Sequence, residues 1–164
     1  MSIKKCVALF SGTGSNLENL LNQQGVLKDS LNNTKISSLL IKPTRLYVHI
    51  IKELMKKIEI NALAHITGGG ITDNVPRVIP DELAACINLH SLKMPKPFRY
   101  IQELSKISDE EMLKTFNCGI GMAVIINKKY LSKAHNLLNI NKEKYKVLGQ
   151  IIKKPDNSKI IYVD

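Results

Sequence analysis

Apolar residues recur with a helical period in the stretch that follows Pro43. The positions are Tyr47, Ile50, Ile51, Leu54 and Ile58. Spacings of three and four residues place such side chains on one face of a helix, which then packs on a core. Thr44 stands just before this pattern and can cap the helix through its side-chain oxygen. A second pattern of this kind predicts a helix over residues 128–138, and its inward positions are Leu131, Ala134, Leu137 and Leu138.

Shorter helices are predicted where capping residues or prolines mark a helix start. They cover residues 15–24, 76–80 and 97–106, and a further helix begins after Ser108. Ser15-x-x-Glu18 and Ser108-x-x-Glu111 are capping boxes, in which the two side chains satisfy the first backbone donors of a helix. Residues 25–42 show the weakest periodicity, and we interpret them as a loop-rich junction.

Short apolar runs bounded by turn residues predict the strands. They cover residues 4–10, 61–66, 83–89, 119–127, 145–154 and 159–164. The turn Pro155-Asp156-Asn157-Ser158 separates the last two runs, so we expect an antiparallel terminal hairpin. Because strands and helices are mixed along the chain, the prediction is an α+β fold: a three-layer α/β/α sandwich with a mixed sheet.

Composition is that of one globular domain with an excess of positive charge. The 164 residues are 44% apolar and carry a formal charge of +10. A nucleic acid or an anionic ligand is one explanation of this charge. The lysines are scattered along the chain, however, which favours a general compositional bias. Tryptophan is absent and aromatic residues make up only 5%, so a stacking platform for bases is not expected and a nucleic-acid partner ranks low.

The cysteines and the apolar runs indicate the compartment. Cys6, Cys86 and Cys118 are far apart and form no CxxC pair, so the sequence predicts neither a zinc site nor disulfides. The apolar run at residues 6–10 is shorter than the core of a signal peptide. No run approaches the ~20 apolar residues of a membrane helix. We therefore expect a cytoplasmic protein with reduced thiols and no membrane partner.

A run of three glycines after the strand at residues 61–66 is the first candidate binding loop. These are Gly68, Gly69 and Gly70, and the polar residues beside them are His65, Asn74 and Arg77. Ordering each glycine costs roughly 0.5–1 kcal/mol relative to alanine, so such a run usually serves a close approach of backbone or ligand. Arg77 could pair with a phosphate or carboxylate. The alternatives are a hydrogen-bonded structural role for His65 and a helix-capping role for Asn74.

A second glycine-rich loop, "SGTGSN" at residues 11–16, lies between a predicted strand and a predicted helix. That context presents backbone N–H groups to an anion. The loop is neither a Walker A motif nor GxGxxG. Its candidate phosphate-binding residues are Gly14, Ser15 and Asn16. The alternative is a tight turn from strand to helix.

Four segments resemble, in order and spacing, the C-terminal half of aminoimidazole ribonucleotide synthetase, or phosphoribosylformylglycinamidine cyclo-ligase. They read "LLIKPTRLYVHIIKEL", "AHITGGGITDNVPRVIPDEL", "TFNCGIGMAVII" and "VLGQIIKK". The resemblance covers about residues 37–164. It implies a place in purine biosynthesis, where the family closes an imidazole ring on a phosphorylated ribonucleotide. It also implies that the triple-glycine loop borders the active-site cleft.

The same resemblance implies ATP and Mg²⁺ as cofactors of the family, held mostly by an N-terminal domain to which nothing here corresponds. Little activity is therefore expected of this chain alone, and no metal ligand or catalytic residue is assigned. The expected partners are that N-terminal domain or a second copy of the chain. The alternative is a non-catalytic subunit that binds a phosphorylated ligand or acts with a partner.

The start of the chain, "KKCVALFSGTGSNLENLL", resembles the start of glycinamide ribonucleotide formyltransferase over about 22 residues. In that family the corresponding loop cradles the substrate phosphate, and Gly14, Ser15 and Asn16 match it. The transferase's catalytic residues have no counterpart, so formyl transfer is not expected. We therefore predict a formyltransferase-like unit at 1–24 built into the sheet, a junction at 25–42 and a cyclo-ligase-like domain at 43–164.

Overall fold

The computed structural model describes residues 45–163 and the backbone of residues 4–10. The strands are β1 (Lys4–Phe10), β2 (Ile60–His65), β3 (Leu83–Asn88), β4 (Ile120–Asn127), β5 (Tyr145–Lys153) and β6 (Ile160–Val163). The helices are α1 (Val48–Lys57), α2 (Gly70–Asn74), α3 (Lys96–Ser105), α4 (Asp109–Thr115) and α5 (Leu131–Ile140). Short 3₁₀ helices cover Pro76–Val78, Leu89–Ser91 and Lys128–Tyr130. The predicted helix at 15–24 and the junction at 25–42 lie outside the described residues.

The six strands form one sheet in the order β2-β4-β1-β5-β3-β6. β1 is antiparallel to both of its neighbours, β4 and β5, so residues 4–10 lie inside the sheet. β2 and β3 are antiparallel to β4 and β5, respectively, whereas β3 and β6 are parallel. The predicted mixed sheet is thus confirmed.

The predicted terminal hairpin is wrong. β3 lies between β5 and β6 and pairs with both of them. The connection crosses the beginning of β3, where the Lys154 amide donates to the Glu82 carbonyl at 2.9 Å and the Ala85 amide donates to the Lys159 carbonyl, also at 2.9 Å. A six-residue connection is long enough to span one intervening strand, whereas a tight hairpin loop has two to five residues. Local turn residues could not reveal a strand inserted from elsewhere in the chain.

Helices cover both faces of the sheet, as the three-layer prediction requires. On one face, α1 and α5 pack against a cluster that includes Val124 and Ile126 of β4. On the other face, α2, α3 and α4 pack against a cluster that includes Ala123 and Ile125 of the same strand. Alternate residues of a strand point to opposite faces, which explains the division. We call these the α1/α5 face and the α2/α4 face.

The helices follow the apolar patterns, with small shifts at their ends. All five inward positions predicted for α1 are buried. α1 begins at Val48 with Tyr47 as its N-cap, and the Tyr47 carbonyl accepts the Ile51 amide at 3.0 Å, so the predicted cap at Thr44 is wrong. The Ser108 hydroxyl accepts the Glu111 amide at 3.2 Å, as a capping box requires. The helix predicted at 128–138 divides into a 3₁₀ turn and α5.

Candidate functional site

Both predicted glycine loops follow strands that end on the same side of the sheet. β1, β2 and β3 end there, whereas β4 and β5 begin there. Phe10, the last residue of β1, pairs with Ile120 at the start of β4. We call this side the loop end. Gly14, Ser15 and Asn16 follow β1 in the sequence and lie outside the described residues.

The triple-glycine loop uses its glycines for a close approach within the protein. Gly69 and Gly70 have φ values of 89° and 54°, the left-handed region that glycine adopts at little cost. A Cβ on Gly70 would lie 1.9 Å from the Leu113 carbonyl oxygen and 2.6 Å from that of Phe116. Gly70 therefore allows α2 to pack directly on the backbone at the end of α4.

The Asn74 side chain stabilises the conformation of the triple-glycine loop through hydrogen bonds to its backbone. Its side chain is buried, and its amide nitrogen donates to the carbonyls of Gly68 at 3.0 Å and Gly70 at 2.7 Å. Its Oδ1 accepts a long contact from Arg77 at 3.4 Å. Both amide hydrogens of Asn74 are thus used inside the loop. The exposed guanidinium of Arg77 keeps donors for a further contact.

His65 lies at the loop end but on the opposite face from Asn74. Its exposed ring packs edge-on against Tyr47, with 6.4 Å between the ring centroids. Ala64 and Ile66, its neighbours in the chain, belong to the α2/α4 face. No hydrogen-bond partner of the His65 ring is found among the residues that the structure describes. The structure thus separates His65 from Asn74, although the sequence places both beside the glycines.

A groove of about 590 Å³ at the loop end was not predicted. Its lining residues are Lys93, Pro95, Asn139, Glu143, Lys144, Tyr145 and Lys146. Lys146 Nζ donates to the Ser91 carbonyl at 3.1 Å. Burial, and then the charge of Lys93, lower the pKa of Lys146. The sequence places Lys144 and Lys146 on either side of Tyr145, but no motif marks them as a site, and Lys93 is distant in the chain.

Polar contacts fix the wall of this groove. Glu143, whose side chain is only 7% exposed, accepts from Arg45 at 2.6 Å. The Tyr145 hydroxyl donates to Asn139 Oδ1 at 3.2 Å, and the Tyr145 ring packs against His135 with 5.2 Å between the centroids. These contacts limit the rotation of side chains that line the groove.

One row of backbone pairs relates the groove to His65. His65 pairs with Met122, Met122 with Leu9, and Leu9 with Tyr145. Three strand spacings of ~4.8 Å place His65 roughly 14 Å from Tyr145. The two lie at the same level of the sheet but too far apart to touch one small group.

The buried thiol of Cys118 and the partly buried hydroxyl of Tyr162 lie near the glycine loop. Burial raises the pKa of Cys118 to about 12, and its Sγ donates to the Met112 carbonyl at 3.4 Å. Burial also raises the pKa of Tyr162 to about 12, although the 2.7 Å hydrogen bond to Thr72 of α2 opposes this shift. At neutral pH both groups are therefore uncharged and support the loop as structure.

Metal ligands and membrane spans were sought in the described part of the chain. Within it, no three His, Cys, Asp or Glu side chains gather in a group that could hold a metal ion. None of its helices combines the length and the apolar character needed to cross a membrane.

The model of the family "AIR synthase related protein, C-terminal domain" matches residues 8–161. The chain belongs to this family. Among curated members of related sequence, the phosphoribosylformylglycinamidine cyclo-ligase of Methylobacillus flagellatus is 46% identical over 109 residues, which are 66% of this chain and 32% of that protein. This AIR synthase-related chain thus spans about a third of that relative.

Solved structures share the fold at low sequence identity. The hydrogenase maturation protein HypE in complex with ATP has a TM-score of 0.72 at 11% identity, over 97% of this chain and 47% of that one. Thiamine-monophosphate kinase from Stenotrophomonas maltophilia has a TM-score of 0.62 at 15% identity, over 97% of this chain and 49% of that one. The three-layer fold of the AIR synthase-related chain is therefore shared with both.

The family match begins at residue 8, within β1, and includes the loop at residues 11–16. The second resemblance, of the first 22 residues to the formyltransferase, receives no support from these comparisons. It stays a prediction, as does the division of the chain at residues 24 and 42.

Proposed function

We propose that this chain supplies the C-terminal part of a phosphoribosylformylglycinamidine cyclo-ligase of purine biosynthesis. The observation that carries the proposal is the 46% identity to such an enzyme over 109 residues. Its substrate in this proposal is formylglycinamidine ribonucleotide, and its product is aminoimidazole ribonucleotide. The family match over residues 8–161 is consistent with this assignment.

The loop end of the sheet is the proposed substrate side. There the loop of Gly68, Gly69 and Gly70 is held in one conformation by Asn74. Gly68 is exposed, and a pre-ordered backbone there lets a ligand approach without a further ordering cost. Arg77 and His65 are exposed side chains beside it, and we propose ligand contacts for both. A ligand that spans the end of the sheet could reach the two together.

The described residues fit the phosphate groups of such ligands better than a metal ion. Mg²⁺ is bound mainly through carboxylate and water oxygens, and the described residues hold no cluster of acidic side chains suited to it. The loop end instead presents ammonium and guanidinium groups. ATP in complex with one fold relative is a property of that protein. We propose that most ATP and Mg²⁺ contacts come from an N-terminal domain.

Little turnover is expected from this chain alone. Ring closure needs the nucleotide and the substrate held together, and this advantage is lost when part of the site is missing. The chain covers only 32% of the related cyclo-ligase. A working site would then form with the N-terminal domain or, less directly, with a second copy of the chain.

Reconstitution tests this proposal. The purified chain is mixed with the N-terminal domain of the Methylobacillus flagellatus relative, formylglycinamidine ribonucleotide, ATP, Mg²⁺ and K⁺, and aminoimidazole ribonucleotide is measured. Product is expected from the mixture and not from either part. A mixture without ATP is the control.

Each other outcome has a definite meaning. Full activity of the chain alone would contradict the need for a partner. No product from a mixture of folded parts that bind each other would contradict the cyclo-ligase function and favour a non-catalytic, ligand-binding subunit. Tight, salt-sensitive binding of nucleic acid would instead favour the lowest-ranked reading.

A further inference from the structure

We propose that the groove at the start of β5 is a binding site for the phosphate group of a small anionic ligand. Lys93, Lys144 and Lys146 supply the positive charge, and we call this site the lysine groove. It is separate from the triple-glycine loop, to which the sequence pointed. Its identification with the substrate's own phosphate rests on the proposed function, whereas anion binding does not.

The shape of the groove suits a small molecule. Its volume of about 590 Å³ falls inside the range of roughly 300–1,000 Å³ that ligand sites occupy. Two segments that are distant in sequence form it, one after β3 and one at the start of β5. Lys144, just before β5, and Lys146, within β5, both line it. Lys93 reaches the groove from the segment after β3.

The charge in the groove is not balanced by the acidic residue that lines it. Glu143 is that residue, and Arg45 holds its carboxylate at 2.6 Å in a mostly buried position. Lys93 and Lys144 take part in none of the salt bridges among the described residues. Lys93 and Lys144 therefore bring two positive charges to the groove that no salt bridge among the described residues offsets. An anion between them would relieve their repulsion.

The direction of the pKa shift of Lys146 is consistent with an anion site. Its pKa is lowered first by burial and then by the charge of Lys93. A bound phosphate would favour the charged form of Lys146 and reverse the second effect. Lys146 thus lies in the groove near the like charge of Lys93, which comes from the segment after β3.

The groove is also pre-ordered. The Ser91 carbonyl fixes the end of Lys146 at 3.1 Å, and the Ser91 amide is in turn bonded to Asn88 Oδ1 at 3.2 Å. Tyr145 is held between Asn139 and His135. Fixing these groups before binding lowers the entropic cost that a ligand must overcome.

A titration followed by nuclear magnetic resonance tests the lysine groove in the full chain. The probes are ribose 5-phosphate, for a phosphate monoester, and inorganic pyrophosphate, for a polyphosphate. The test variant is Lys93→Gln/Lys144→Gln. The matched control is Lys128→Gln/Lys153→Gln, which makes the same charge change with exposed lysines at the other end of the sheet. Unchanged spectra away from the substitutions confirm that each variant is folded.

We expect chemical-shift changes at Lys93, Lys144 and Lys146 with at least one probe. Dissociation constants should rise about five- to tenfold in the test variant, as for the loss of two exposed charge pairs, and by less than about twofold in the control. The probe that binds more tightly tells a monoester site from a polyphosphate site. Raising the salt concentration should weaken binding.

Three results would overturn the proposal. They are equal weakening in the two double variants, shift changes that map away from the groove, and groove-dependent binding of an oligonucleotide with no binding of either probe. The outcome is independent of the reconstitution assay. Binding by the groove without ring closure would support the anion site and contradict the proposed function. Ring closure unaffected by the test variant would show that the groove does not hold the substrate's phosphate, and the anion site would then stand or fall on the titration alone.

Discussion

The triple-glycine loop and the lysine groove lie at the same end of the sheet. The loop uses its glycines and its buried amide for contacts within the protein, whereas the groove leaves charged side chains exposed. In the loop, the space above Gly70 is filled by the backbone of α4, and the amide of Asn74 is used twice within the loop. In the groove, Lys93 and Lys144 are exposed around an open volume. An unusual motif such as the glycine run can therefore mark a close contact inside the protein, whereas residues that form no motif, such as these lysines, line the open groove.

The sharpest test of this contrast is Gly70→Ala. The added Cβ would meet the Leu113 carbonyl oxygen at 1.9 Å, and the positive φ adds strain. We expect a loss of about 3 kcal/mol or more in the free energy of unfolding, measured by urea denaturation. Gly68→Ala is the matched control, because Gly68 is exposed and its φ is not positive. Equal stability of the two variants would show that the loop is not packed as described.

Asn74→Ala should have the next largest effect. It leaves the carbonyls of Gly68 and Gly70 without their donor, which costs about 2 kcal/mol for a buried, doubly bonded amide. Denaturation measures the change, and hydrogen exchange in residues 67–70 should quicken with it. Asn136→Ala, at an exposed position of α5, is the control. A loop that stays protected in the Asn74 variant would contradict the role given to this residue.

A further and more gradual effect is expected in the pH dependence of the unfolding free energy above neutral pH, through the buried thiol of Cys118. Its pKa is raised from 9.0 to about 12, so the unfolded chain loses this proton at lower pH than the folded one. The resulting stabilisation is complete below about pH 9 and is lost as the pH rises towards 12. Over that window, the unfolding free energy should fall less steeply with pH in Cys118→Ala than in the unsubstituted chain, by at most about 1.4 kcal/mol per pH unit. Identical slopes would mean that Cys118 is not buried.

Periodicity predicted most of the fold because burial on one face depends on local spacing. The inward residues of α1 follow such spacing, and a short apolar run before turn residues predicts the strand at residues 4–10. The position of β3 between β5 and β6 could not be, because strand order is set by contacts between distant segments. The predicted hairpin failed for this reason, although the last two strands do run in opposite directions.

The candidate site was predicted only in part, for a related reason. Sequence proximity grouped His65 with Asn74, but the alternation of β2 sends them to opposite faces. The lysine groove brings Lys93 close to Lys146 through the packing of two segments that are distant in the chain, and no sequence motif indicates that packing. The sequence did identify the triple-glycine loop, because the need for glycine there comes from local backbone geometry.

The central position of β1 has a consequence for how the chain folds. The first strand pairs with β5, so Cys6 opposes Gly149 near the other end of the described chain. Such distant contacts raise the contact order and slow folding. During synthesis, the edge of β1 that pairs with β5 stays uncovered until residues 145–153 have emerged. Until then the open hydrogen-bonding groups of that edge favour wrong pairings and aggregation.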